Sequence, residues 1–220
     1  MPLPAGYVSN AGITVKGLTK KFSRLYHQVL TAPAAAALNN LKLAVAGPVT
    51  STITYRAVDG TLDGALVVAK RAVLDYARNV VITVTHGAAV VALSGVITGK
   101  DIYGDLMTEA WSVTAGGVSK TYTGVKAFKE IISISVTSVA DASTDTVTAG
   151  TGQVFGVDFL TTFPAIIKEV VDGGVVTTGT LVTGVHDATH DVHGTYSPAT
   201  APNGVHNYEF VVLCDSPEDS

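Results

Sequence analysis

Apolar and polar residues alternate over much of the chain from residue 49 onward. Residues 53–57, 80–84 and 132–136 each carry apolar side chains at every second position, which is the period of a half-buried β-strand. Turn-forming pairs such as Asp59-Gly60 and Gly116-Gly117 recur about every ten residues. Many short strands between such turns are typical of sandwiches and barrels. We therefore predict an all-β fold with a β-sandwich over residues 49–214, and the jelly roll is one form of it that stays open.

The first 48 residues follow a different pattern. Their apolar side chains Phe22, Leu25, Tyr26 and Val29 are spaced as on one face of a helix, so we predict a short helix near residues 19–30. Gly47-Pro48 then breaks the chain, and few earlier residues alternate as in a strand. The pattern predicts an N-terminal arm over residues 1–48. At the other end, we expect the acidic residues 215–220 to form a flexible tail.

The composition indicates a surface that is partly covered by other protein. The chain has 220 residues, of which 47% are hydrophobic and only 15% are charged, whereas soluble proteins usually have roughly 25% charged residues. A chain with so few charges has little to keep its whole surface in water. We therefore expect contacts with other subunits.

Nucleic acid and membranes are not expected partners. The net charge is −4 and the densest basic stretch, residues 16–24, is short, whereas duplex-binding proteins carry a basic stripe. No run of residues approaches the roughly 20 apolar residues of a membrane span. The first residues lack the basic start and apolar run of a signal peptide, so we expect synthesis and folding in a cytoplasm.

The strongest candidate for chemistry is a cluster of His and Asp between residues 186 and 193. His186, His190 and His193 have spacings that would suit a metal on a helix, with Asp187 and Asp191 beside them. Nearby glycines at positions 184 and 194 disfavour a helix, and in a strand these residues would not share a face. We therefore predict a polar loop and no metal site.

The other reactive side chains have structural interpretations. Asp101 and Asp105 lie in one turn, where Asp bonds to its own backbone. We expect Glu109 to be an exposed strand residue, Trp111 to lie in the core or an interface, and Cys214, the one cysteine, to point into the core from the last strand. Phosphate-binding, dinucleotide-binding and nucleophile motifs are absent from the sequence, and the residues 117–119 lack the context of a nucleophile elbow. We predict no catalytic residue, no cofactor and no enzymatic activity.

An ordered series of segments resembles a family of tailed-bacteriophage virion structural proteins, several of which are head-decoration or cement proteins. The segments are RNVVITV (78–84), ITGKDIYGDLMTE (97–109), GVKAFK (124–129), GTGQVFGV (150–157) and GTYSPATAPNG (194–204). Together they span about residues 75 to 210. The resemblance implies a β-sandwich and no catalytic residue. It also implies that the chain is made in a host bacterium and binds the major capsid protein on the virion surface.

The function expected from this resemblance is that of a capsid cement protein. Such a protein binds across the seams between capsid subunits and stabilises the shell, and we expect it to form a homodimer or homotrimer. A second hypothesis is another virion part, such as a tail-tube, connector or baseplate subunit. A third is a metal-binding module or an enzyme on the same sandwich, for which tight binding of a divalent metal through His186 and His190 would be the evidence.

Overall fold

The computed structural model describes residues 7–8, 12–15, 18–20, 24–159, 165–176, 178–185, 187, 191 and 193–214. These residues form an all-β protein whose strands belong to sheets of 3, 11 and 4 strands. The strands are β1 (Tyr7–Val8), β2 (Gly12–Val15), β3 (Leu18–Lys20), β4 (Arg24–Leu30), β5 (Ala37–Ala46), β6 (Thr52–Arg56), β7 (Val67–Val68), β8 (Arg71–Thr85), β9 (Leu93–Lys100), β10 (Leu106–Val113), β11 (Ser119–Thr123), β12 (Phe128–Ser138), β13 (Thr146–Gly156), β14 (Ala165–Val171), β15 (Gly174–Val175), β16 (Thr180–Thr183), β17 (Gly194–Ser197) and β18 (Tyr208–Cys214).

The predicted all-β sandwich is confirmed, and its two layers enclose a large core. The first layer consists of β10, β9, β12 and β6, and the second of β11, β8, β13 and β5. Alternate residues of both layers point inward, for example Ile97 and Trp111 from the first layer and Ile82 and Val147 from the second. The layers join where β12 pairs with the first half of β8.

A second core lies beyond the end of the sandwich. The hairpin β16–β17 extends the second layer, because β17 pairs with the last residues of β13. A small sheet with the order β15-β14-β18-β4 packs against this extension. Its core is rich in aromatic rings, with Tyr196 and Phe210 stacked at a centroid distance of 4.0 Å. The second layer is therefore covered by the first layer at one end and by the small sheet at the other.

The helix predicted near residues 19–30 is wrong, because residues 18–20 and 24–30 are strands. Along β4, His27 and Val29 are exposed while Gln28 and Leu30 are buried, which is the period of a strand. Strand β4 pairs with β18, at the far end of the chain, and β5 pairs with β13. The expectation of few strands before residue 49 is therefore also wrong. The predicted tail, residues 215–220, lies outside the described residues.

None of the described residues forms a helix that is long and apolar enough to cross a membrane.

Candidate functional site

Three neighbouring rows on the outer surface of the first layer consist almost wholly of small uncharged side chains, and the row beyond them, Leu106–Lys100–Glu130, carries an ion pair. We call the three rows the first face. Its residues lie side by side across β10, β9, β12 and β6 in the rows Thr108–Thr98–Ser133–Arg56, Ala110–Val96–Ser135–Thr54 and Ser112–Ser94–Thr137–Thr52. Within this set only Arg56 is charged. The hydroxyl groups also bond to one another and to the backbone, as Thr52 does to Thr137 at 2.8 Å.

The outer surface of the second layer has the same chemistry. We call it the second face, and its rows across β11, β8 and β13 are Ser119–Thr85–Thr146, Thr121–Thr83–Thr148 and Thr123–Val81–Gly150. None of these side chains is charged. The low charge of the chain is therefore reflected in the structure, since three rows on each broad surface of the sandwich carry mainly Ser, Thr and small apolar side chains.

At one end the second face leads into a cavity of about 560 Å³, which we call the trough. Its floor is formed by Val154 on β13 and by outward residues of the β16–β17 hairpin, where Thr180 is paired with Ser197 and Val182 with Thr195. The end of β11 and the following residues, 123–125, form one wall. Pockets of roughly 300–1,000 Å³ are the size in which proteins enclose ligands.

A buried amide group holds the wall and the floor of the trough together. Asn79 is fully buried on β8, and its Nδ2 donates to the carbonyl of Gly124 at 2.8 Å. Its Oδ1 accepts a hydrogen bond from the backbone N–H of Val154 at 3.0 Å. Because one side chain binds both sides, the width of the trough is fixed by the sandwich beneath it.

A buried carboxyl group positions the wall from behind. Glu109 Oε1 accepts hydrogen bonds from the N–H groups of Val125 at 2.6 Å and Lys126 at 3.3 Å, and lies 3.1 Å from the hydroxyl of Tyr122. Burial raises the pKa of the Glu109 carboxyl above its usual range, and these donors oppose the rise. A side chain at Gly124 would clash, since a Cβ there would lie 2.8 Å from Glu109 Oε2.

The expectation for Glu109 is therefore wrong, because its side chain is only 3% exposed and points inward. The alternation along β10 indicates that Glu109 is buried. Every second residue of this strand is buried, and these residues are Met107, Glu109, Trp111 and Val113. The pattern places Glu109 on the core side. The pattern does not predict which N–H groups offset the cost of burying the carboxyl, because they come from a loop more than ten residues away in the sequence.

A second carboxylate, Asp191, holds the end of the trough. Its Oδ2 accepts a hydrogen bond from the N–H of Ala127 at 2.9 Å, and its Oδ1 accepts from the N–H groups of His193 at 3.0 Å and Gly194 at 3.3 Å. The side chain is buried. Asp191 thus ties the loop before β17 to the loop after β11.

Of the other residues of the predicted His and Asp cluster, the structure describes Asp187 and His193. His193 Nδ1 lies 3.8 Å from Asp101 Oδ2, and its ring lies 4.7 Å from the ring of Tyr103. His186 and His190 lie outside the described residues, and Asp187 is exposed. Among the described residues no group of three or more His, Cys, Asp and Glu could hold a metal.

The remaining candidates have the structural roles that their positions predict. Asp101 Oδ1 accepts hydrogen bonds from the N–H groups of Tyr103 and Asp105, which confirms the turn. Trp111 is 2% exposed in the sandwich core and donates from Nε1 to the carbonyl of Ser135 at 3.0 Å. Cys214 is the last residue of β18, as predicted, but its side chain is outside the part of the structure described.

No protein-family model, no curated protein and no solved structure matches the chain.

Proposed function

We propose that the chain is a capsid cement protein, a non-enzymatic structural protein that binds the outer surface of a bacteriophage shell. The observation that carries the proposal is the low charge of the first and second faces: their six strand rows contain one charged side chain, Arg56, and the Lys100–Glu130 ion pair lies at the edge of the first face. The centres of protein interfaces are depleted of charged residues. A charge buried there without a partner would lose its hydration and gain nothing in return.

Hydroxyl groups suit such a contact better than either charges or large apolar groups. Each Ser or Thr hydroxyl can donate and accept a hydrogen bond, so it can meet water in the free protein and another chain in the complex. The faces therefore keep the free protein in solution at a low charge, 15% of residues, while the cost of covering them stays small. These properties fit a protein that folds alone and is later covered by subunits.

The proposed partner is the major capsid protein, and the proposed place is the surface of the virion. On this proposal the protein acts as a homodimer or homotrimer that spans the seams between capsid subunits. The described carboxylates that were candidates for metal binding or catalysis do not favour a different function. Glu109, Asp191 and Asp101 each accept hydrogen bonds from backbone N–H groups.

The test is to add the purified protein to expanded shells of the phage capsid protein that lack it and to image them by cryo-electron microscopy. We expect regular extra density at the symmetry axes and a raised melting temperature of the shell. Undecorated shells with an unchanged melting temperature would overturn the proposal. Rings or tubes formed by the protein alone would instead assign it to the tail.

A further inference from the structure

The described lining of the trough has a single charged residue, a carboxylate that lies at its end. Asp191 is the one charged residue among its described lining, and backbone N–H groups occupy both of its oxygens, at 2.9 Å on Oδ2 and at 3.0 and 3.3 Å on Oδ1. A carboxylate with three such donors is already stabilised and requires no cation. A ligand in the trough would therefore meet no charge that needs a counterion.

The opening of the trough is lined by apolar side chains. Val125, on the wall, is 52% exposed and Val182, on the floor, is 46% exposed. Between them lie Val154, Thr180 and Thr195. Apolar groups on both sides of a concave site favour an apolar occupant, because its contact with them removes both surfaces from water.

The trough is large enough to hold more than one side chain of a bound partner. A cavity of about 150 Å³ holds one benzene ring, so a trough of about 560 Å³ has room for several side chains. Its floor continues without a charged residue into the second face. A protein that covers the second face would therefore bring its own chain directly over the trough.

We propose that the trough receives a short, uncharged segment of the protein partner, with two or three apolar side chains that anchor it. The inference rests on the proposed function, in which that partner is the major capsid protein. The hydroxyls of Thr180, Thr195 and Ser197 supply hydrogen bonds for the segment's backbone, and the valines take its side chains. The charge-free second face lies against the rest of the partner.

The first test uses the free protein, so that it does not depend on a capsid. The neutral probe N-acetyl-leucinamide, at millimolar concentration, is expected to shift the amide resonances of Gly124, Val154 and Thr195. The cationic probe N-acetyl-lysinamide is expected to leave them unchanged. If the neutral probe gives no shifts at the trough, the inference is overturned whatever the shells show. A small molecule that copurifies in the trough, seen by native mass spectrometry, would also overturn it.

The second test measures shell binding with Val182→Lys, which places a charge at the opening. Its control is Val139→Lys, at a side chain that is 85% exposed and away from the trough. We expect Val182→Lys to weaken decoration at least about tenfold, equal to about 1.4 kcal/mol, and the control to bind like the parent. Equal binding of both variants would overturn the inference and leave the cement function standing. Undecorated parent shells would instead overturn the cement function and with it the capsid protein as the occupant, while the affinity of the trough for apolar groups is decided by the first test.

Discussion

The two cores of the molecule differ in size and in the bonding of their buried tyrosine hydroxyls. In the sandwich core, the polar atoms of aromatic side chains have partners, since Trp111 Nε1 donates to Ser135 and the Tyr122 hydroxyl lies 3.0 Å from the carbonyl of Ala110 and 3.1 Å from Glu109 Oε1. These bonds also connect strands that do not pair with each other in the sheet, β10 with β12 and β11 with β10. Satisfied polar groups of this kind fix one packing arrangement at little cost in free energy.

In the second core the buried hydroxyl of Tyr208 has no hydrogen-bond partner among the described residues. Burial and the interaction with Glu169 raise the pKa of the Tyr196 hydroxyl. Unpartnered buried atoms also occur in the sandwich, at Thr83 Oγ1, Glu109 Oε2 and Asp145 Oδ1. An unsatisfied buried polar atom costs about 1–3 kcal/mol. In the described part of the chain the second core is also the smaller one, with nine buried apolar residues against 22 in the sandwich core, so we expect the small sheet to open before the sandwich does.

The largest expected effects come from removing one phenylalanine ring from each core. Phe128 and Phe210 are both almost fully buried, so each change to Ala should cost about 3–5 kcal/mol. Trp111 is the one tryptophan and lies in the sandwich core, so its fluorescence in urea reports that core, while far-ultraviolet circular dichroism reports all strands.

The two variants should lose stability in different parts of the molecule. We expect Phe128→Ala to move the fluorescence transition to lower urea. Phe210→Ala should instead cause an early loss of dichroism and leave the fluorescence midpoint close to that of the parent. If Phe210→Ala moves both signals together and as far as Phe128→Ala does, the two cores unfold as one unit and the comparison fails.

A smaller effect, of opposite sign in the two cores, is expected from changing Tyr to Phe. Tyr122→Phe removes a hydroxyl that is bonded to Glu109 or Ala110 and should cost about 1–2 kcal/mol. Tyr208→Phe removes a buried hydroxyl without a partner and should leave stability unchanged or raise it by up to about 1 kcal/mol. Neither change leaves a large cavity, so the free energy of unfolding in urea reports the hydrogen bonds. Equal losses for the two variants would mean that the Tyr208 hydroxyl is satisfied.

The sequence predicts the parts of this fold in which neighbours along the chain determine the structure. The alternation over residues 80–84 and 132–136 lies within the observed strands β8 and β12. At Asp59-Gly60 the glycine has a φ of +78°, as a turn requires. The absence of a helix at residues 24–30 could not be predicted in this way. Leu25, Tyr26 and Val29 suit either period, and the partner strand β18 that decides between them is the last strand of the chain.

The trough could not be predicted either, because the residues that position it are far apart in the sequence. Asn79, Glu109 and Asp191 come from three separate parts of the sequence, and each is defined by the backbone groups it binds. The sequence shows a buried position for Glu109 through its parity with Trp111. It shows no such signal for Asp191, which is in a loop. The sequence shows that the whole chain has few charged residues. Only the strand register shows that uncharged residues lie side by side on two faces.

The smallest expected effects come from the hairpin turns of the two regions. The turn between β7 and β8, in the sandwich, places Ala69 and Lys70 at φ values of +51° and +64°. The turn between β14 and β15, in the small sheet, uses Asp172 and Gly173 at +51° and +80°. Left-handed backbone costs a residue with a side chain roughly 1–2 kcal/mol, whereas glycine adopts it freely.

The sandwich turn therefore places two residues with side chains in left-handed backbone, whereas the small-sheet turn places one, Asp172. Lys70→Gly should stabilise the sandwich by about 0.5 kcal/mol, because the relief of strain exceeds the extra flexibility of the unfolded chain. Gly173→Ala should destabilise the small sheet by about 1 kcal/mol. We expect the first change to raise the midpoint of Trp111 fluorescence in urea and the second to lower only the midpoint of dichroism. A lower fluorescence midpoint for Lys70→Gly would show that the Lys70 side chain stabilises the hairpin by more than its backbone strain costs.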